Sequence, residues 1–206
     1  MEDFKEFMQR LIVGADSVYF RDVIGVASGY RITEIDKGIL PDLKQLKTAF
    51  QTDLEKISSN VKTTYKGRAN ELSNYMERVV LDEINSMENF TASKPTVSGK
   101  RHQSAGYPDL VVTARGRPFY LEVKTFQLKT AESSLRTFYY KPSKNSKIRQ
   151  ACPHLLIAFE VESLGHENKS PFVVNKVKIV DLYDLKVSLK PEFNASNIEV
   201  YGCTQI

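Results

Sequence analysis

The sequence predicts an α/β protein with an α+β-like order, in which a central mixed β-sheet is flanked by helices. Three observations carry this. Apolar residues recur at three-and-four spacing over Leu43–Val61 and again over Leu72–Ile84, the period of a buried helix face. A strand-like alternation with turn punctuation follows over Leu110–Phe126. His154–Val161 is a continuous apolar run, as expected of a strand covered on both faces. The chain has 206 residues and is 41% hydrophobic, enough for one domain with its own core. The expected organisation is a single domain over 1–206, with a helical part over 1–66 and a core over 67–206.

The first segment places Phe4, Phe7, Met8, Leu11 and Ile12 on one helical face. Residues from Asp16 to Asp36 show no clean period. Pro41 and Asp42 then open a strong helix, because proline fits a first turn and a carboxylate suits the positive helix end. Its stripe is Leu43, Leu46, Phe50, Leu54, Ile57 and Val61. That spacing favours a helix buried in its own domain, with a coiled-coil-like dimer helix as the alternative. A polar turn over Ser58–Gly67 precedes a third helix, Arg68 to Met87, with Leu72, Tyr75, Met76, Val79, Val80 and Ile84 inward. Thr91–Gly106 reads as an extended loop. Leu110–Thr113 and Phe119–Phe126 read as strands joined by Arg115-Gly116-Arg117-Pro118. Val173–Val174, Val177–Leu182 and Leu185–Leu189 follow as further strands, and Ile198–Tyr201 is placed at a sheet edge.

No apolar run is long enough to cross a bilayer, and Met1-Glu2-Asp3-Phe4-Lys5 lacks the features of a signal peptide. The expectation is a cytoplasmic protein with no membrane partner. Cys152 and Cys203 form no metal-ligand spacing and read as isolated small hydrophobes. No His/Cys cluster suggests zinc, and no phosphate-binding glycine loop suggests a nucleotide cofactor.

The net charge is only +4, but its distribution is uneven. Asn89–Phe159 holds twelve Lys/Arg and three acids, whereas the remainder of the chain is acidic overall. A basic stretch of this kind is the footprint of a polyanion-binding surface or a solvated basic face. The placement of the acids distinguishes them, since two of the three are Asp109 and Glu122.

Glu122 and Lys124 stand two apart on a predicted strand and share a face, while Leu121 and Val123 point into the core. Asp109 begins the preceding strand, and the short hairpin brings it beside them. Two carboxylates that close repel unless a cation or a proton lies between them. Mg²⁺ fits, because it takes oxygen ligands and usually one or two carboxylates, with water and phosphate oxygens completing its shell. Lys124 is then placed to orient or deprotonate an attacking water and to offset charge developing on a phosphate. A purely structural arrangement, with Asp109 capping a turn and Glu122 and Lys124 forming an exposed pair, uses the same residues. The apolar brackets and the depletion of other acids favour the chemical one.

Pro108-Asp109, followed after a hairpin by Glu122-Val123-Lys124, resembles the signature of the PD-(D/E)XK nuclease superfamily. The resemblance implies a restriction-endonuclease-like fold and Mg²⁺-dependent phosphodiester hydrolysis leaving a 5′-phosphate and a 3′-hydroxyl. It also implies Asp109 and Glu122 as metal ligands and Lys124 as the catalytic lysine. The family often adds a glutamate from the helix before the first strand, frequently after a glycine. Gly67-Arg68-Ala69-Asn70-Glu71 is similar and nominates Glu71, while Glu77 and Glu83 lie on the same helix.

Within the superfamily the chain resembles type II restriction endonucleases, which often keep recognition elements after the motif. Ser133, Ser134, Arg136, Thr137, Tyr139, Lys141, Lys144 and Lys147 lie there, a mixture suited to phosphate contact and base-edge reading. Phe138, Tyr139 and Tyr140 equally fit a buried strand. Lys100, Arg101, His102 and Gln103 precede the motif and are further DNA-binding candidates. The resulting expectation is a homodimer that cuts double-stranded DNA at a short, palindromic site. Two alternatives stay open: a structure-selective or repair nuclease of the same superfamily, and a non-catalytic DNA-binding protein.

Overall fold

A computed structural model of the chain describes residues 6, 8–9, 13–97, 106–130, 138–143, 145–166, 169–189, 196, 199 and 202. A five-stranded sheet, ordered β2-β3-β4-β5-β6, forms its centre. The strands are β2 Phe90–Ser93, β3 Leu110–Ala114, β4 Arg117–Phe126, β5 His154–Ser163 and β6 Phe172–Asp181. All neighbours are antiparallel except β4 and β5, which run parallel, so the sheet is mixed as expected. β1 Ala15–Tyr19 and β7 Lys186–Leu189 form a separate two-stranded sheet.

The hairpin of β3 and β4 turns through Arg115 and Gly116, both at positive φ. Two successive positive-φ residues give the tight turn whose twist matches the flanking strands. Its register pairs Leu110 with Leu121 and Ala114 with Arg117. β5 is the run expected to be covered on both faces, and nearly all of it from His154 to Val161 is buried.

The apolar stripes of the three longer helices meet one face of this sheet. The helices are α1 Phe20–Ser28, α2 Leu40–Thr52, α3 Leu54–Thr64 and α4 Leu72–Ser86. Leu43, Leu46, Phe50, Ile57 and Val61 are buried in the same core as Leu121, Val123, Ile157 and Phe159. The intramolecular arrangement is therefore the one the stripe adopts. What reads as one helix in the sequence is two, because the chain breaks at Asp53. The stripe runs unbroken across that break because both helices pack on the same core. Asp42, in the first turn of α2, is itself buried and pairs with Arg115 at 3.1 Å, which fastens the helix to the hairpin turn.

The third predicted helix begins with a 3-10 turn, Ala69–Glu71, and continues as α4, with Leu72, Met76, Val80 and Ile84 buried. β2 is a correction to the predicted loop: it pairs with β3 through Phe90↔Ala114 to Ser93↔Val111. Its polar Thr91 and Ser93 are exposed, as an edge strand allows, so its sequence resembles a loop. The two strands expected over Val173–Leu182 are one, β6, carrying a register irregularity opposite Glu160/Val161. The expected first helix lies almost wholly outside the described residues, and so does the Ile198–Tyr201 segment apart from Glu199. No helix among the described residues is long and apolar enough to cross a membrane.

The opposite face of the sheet carries a second core of Phe20, Ile24, Ile32, Tyr107, Tyr120, Ile148, Cys152 and Leu182. Cys152 is buried there as a free thiol, pushed up to about 12 by burial. Phe20 anchors this side with edge-on contacts to Tyr107, Phe138 and Tyr140 at 5.2, 4.9 and 5.5 Å. The group lies beside the loop that leads into Asp109.

Candidate active site

β4 sorts its side chains by parity. Leu121 and Val123 enter the helix-side core, while Glu122 and Lys124 project from the other face. One step back from the Leu110↔Leu121 pair, the register sets Asp109 opposite Glu122. Asp109 is anchored there because its Oδ2 accepts a hydrogen bond from the Val123 backbone N–H at 2.8 Å. Lys124 Nζ donates to Glu122 Oε1 at 2.6 Å. The Asp109, Glu122 and Lys124 expected from the sequence are thus brought together by one hairpin.

Glu122 is 3% exposed, and its Oε2 is buried with no hydrogen-bond donor. The neighbouring Asp109 carboxylate is another acceptor when ionised, so only a shared proton or a cation satisfies the two together. Burial, followed by the charge of Asp109, raises the Glu122 carboxyl to about 7, against the opposing pull of Lys124. Lys124 shows the balance from the other side. Burial works to lower its pKa, but Glu122, Asp109 and Glu77 outweigh this and hold the ammonium above its ordinary value. With both carboxylates ionised, the site would carry more negative charge than its own lysine neutralises.

The helix glutamate brought to this pair is Glu77. It pairs with Lys94 at 3.2 Å, and burial together with the Asp109 charge raises its pKa. Ser73, one turn earlier on α4, meets Thr125 of β4 at 3.0 Å, so this flank of the helix leans toward β4. Glu71, nominated by the glycine-led motif, sits exposed in the 3-10 turn beside Tyr65. Glu83 faces Lys56 at 3.6 Å. Sequence reasoning missed Lys94, which follows a strand that reads as a loop.

The basic candidates divide as well. Tyr139 is half exposed and Lys141 is exposed, and both line a cleft of about 440 Å³ with Gly106, Tyr107 and Asn145. Phe138 and Tyr140 pack inward in irregular chain, so the expected alternative of a strand is not what forms. Lys147 is only 5% exposed and donates to the carbonyls of Gly106 and Pro108. Lys100, Arg101, His102, Gln103, Ser133, Ser134, Arg136, Thr137 and Lys144 lie outside the described residues.

The loop entering the site is held from behind. The Tyr107 hydroxyl meets His154 Nδ1 at 2.7 Å, in a pocket where burial lowers the imidazole to about 3. His154 is therefore neutral at physiological pH, a structural partner of Tyr107.

A mixed sheet with a carboxylate pair and a lysine on one hairpin defines a restriction-endonuclease-like protein. The model of the Type II restriction enzyme MjaV family matches residues 13–204. The chain is also 35% identical over 219 residues to the Type II restriction enzyme MjaV of Methanocaldococcus jannaschii, covering 97% of this chain and 92% of that protein. The chain belongs to the Type II restriction enzyme MjaV family, and its class is that of site-specific DNA endonucleases. Membership sets it apart from the structure-selective and non-catalytic alternatives.

Enzymes of this class generally need a divalent metal. Asp109 and Glu122 fit one: two hard oxygen donors converge, and a buried oxygen lacks any protein donor. Among the described residues no group of three or more His, Cys, Asp or Glu side chains forms a ready cage. A cation held here would therefore draw its remaining ligands from water and substrate.

Proposed function

We propose that this chain is a Mg²⁺-dependent type II restriction endonuclease that hydrolyses double-stranded DNA at a short site. It acts through Asp109, Glu122 and Lys124 and leaves a 5′-phosphate and a 3′-hydroxyl. The observation that carries the reading is the buried, donorless Oε2 of Glu122 beside the Asp109 carboxylate. Two such groups are costly without a cation and become favourable with one.

Asp109 and Glu122 would hold the metal. When bound, Mg²⁺ polarises the phosphorus centre and makes nearby water more acidic. The chain's own residues do the rest. The Val123 N–H fixes one carboxylate oxygen of Asp109 and leaves the other for the cation. Lys124 keeps its proton in this charge environment, so it orients the attacking water and offsets charge on the phosphate. Glu77, tied to Lys94, adds a further carboxylate beside Asp109 and favours the charged form of Lys124.

The exposed Lys141 and Tyr139 supply phosphate and base contacts from the cleft beside the site. The whole chain works as one nuclease domain, and two copies related by a two-fold axis match the symmetry of a palindromic site, each cutting one strand. The test is digestion of a plasmid of known sequence with Mg²⁺, alongside EDTA and Glu122→Ala controls. Discrete, metal-dependent fragments are expected, and end-sequencing gives the site and the chemistry of the ends. Intact plasmid in every lane would overturn the reading.

A further inference from the structure

We propose that Lys147 is a positioning residue, which clamps the Gly106–Pro108 loop so that Asp109 stands beside Glu122. It would thereby tie the segment that meets DNA to the carboxylate pair. The inference rests on the reading of Asp109 and Glu122 as a cation site.

Lys147 comes from the basic segment after the motif, where a lysine is expected to reach a phosphate. Instead it is 5% exposed. Nζ donates to the Gly106 carbonyl at 2.6 Å and to the Pro108 carbonyl at 3.3 Å. The second carbonyl belongs to the peptide that leads directly into Asp109. Between the two clamped peptides, the Tyr107 hydroxyl is held by His154 at 2.7 Å. The approach to Asp109 is thus fixed at three consecutive residues.

An ammonium placed this deep gives up most of its hydration, and burial lowers its pKa. Asp109, Glu122 and Glu77 act in the opposite direction and favour the charge. Two carbonyls and three carboxylates are the environment in which a compact point charge with three donors outperforms a neutral side chain. Lys147 also lines the cleft that Tyr139, Lys141 and Asn145 share with Gly106 and Tyr107. Cleft and catalytic loop therefore have one wall in common, and this side chain joins them. Groups that hold metal ligands in place are worth about 10- to 100-fold in metal affinity or activity when removed.

The experiment uses the full chain with Lys147→Met and, as companion, Lys147→Gln, which keeps a donor for one carbonyl. Circular dichroism selects a folded variant. Mn²⁺ binding is measured by calorimetry without DNA, DNA binding by titration in EDTA, and cleavage under single turnover. The expected result is Mn²⁺ affinity weaker by about 10-fold and cleavage slower by about 10- to 100-fold, with metal-free DNA affinity unchanged. Unchanged Mn²⁺ affinity overturns the proposal, whether DNA affinity falls, as for a phosphate contact, or stays the same. Failure of both variants to fold overturns it too, since Lys147 would then serve folding. Asp109→Ala is the control: if it still binds Mn²⁺ and cuts, the cation-site reading fails on its own account.

Discussion

The Val123 backbone N–H donates to Asp109 Oδ2 at 2.8 Å, so the strand that carries Glu122 also holds the carboxylate facing it. The pair is thus tied into the hairpin ladder on one side, while the loop that enters Asp109 is held on the other by Lys147 and His154. Its geometry consequently depends first on β3 and β4 staying paired.

Asp109→Asn keeps an oxygen that can accept from Val123 but removes the charge. It should fold like the parent and lose cleavage by at least about 100-fold, the scale of a lost electrostatic contact in catalysis. Asp109→Ala and Lys124→Ala should likewise abolish cleavage with the fold retained. Single-turnover cleavage and circular dichroism on the same samples check this. Cutting at the parental rate would remove Asp109 from the site.

The pH dependence of the metal-free protein should carry the mark of Glu122. Its folded carboxyl lies at about 7, above the ordinary value of 4.5. The folded state then holds the proton more tightly, so this group's contribution is complete below about 4.5 and is lost as pH rises through about 7. The slope is at most about 1.4 kcal/mol per pH unit. Glu122→Gln should remove this fall, and Mg²⁺ should suppress it in the parent. Denaturant titrations at pH 5 and pH 8 give the answer, and equal pH slopes for parent and variant would contradict it.

Glu77 and Glu71 separate two models of the helix contribution. Glu77→Gln takes a charge from beside Asp109 and Lys94, and should lower cleavage about 10-fold or more, as loss of a supporting group does. Glu71→Gln should leave activity unchanged, because that side chain is exposed in the 3-10 turn. Parallel rate measurements decide, and the reverse order of effects would restore the glycine-led motif.

DNA affinity without metal should fall steeply with salt, as expected when lysines and arginines displace counterions. Lys141→Ala should reduce the log–log salt slope by about 0.9, the value for one phosphate contact. Lys147→Met should leave the slope unaltered, because its ammonium is spent on two carbonyls. Titrations at several salt concentrations measure both, and a flat salt dependence in the parent would rule out the basic segment as the DNA surface.

Much of this was readable in the chain, and particular residues show why. Leu121 and Val123 alternating with Glu122 and Lys124 define a strand with one apolar and one polar face, because a strand has period two. Arg115-Gly116 supplies a turn short enough to set the register, which sets Asp109 opposite Glu122. The stripe from Leu43 to Val61 marks helix, though not the break at Asp53, since a face packed on one core stays continuous across two helices. β2 escaped because an exposed edge strand has no need of an apolar alternation.

The sequence by itself therefore determined the sheet-and-helix class and the Asp109, Glu122 and Lys124 triad, because both follow from local period and a two-residue turn. Only the tertiary structure decided that Glu77 rather than Glu71 leans toward that triad, and that Lys147 turns inward to the loop rather than outward to solvent. Helical periodicity tells which residues flank a buried stripe but not which flank meets a neighbouring strand. The basic composition of a segment, likewise, cannot tell which of its lysines will meet a backbone carbonyl brought to it by the fold.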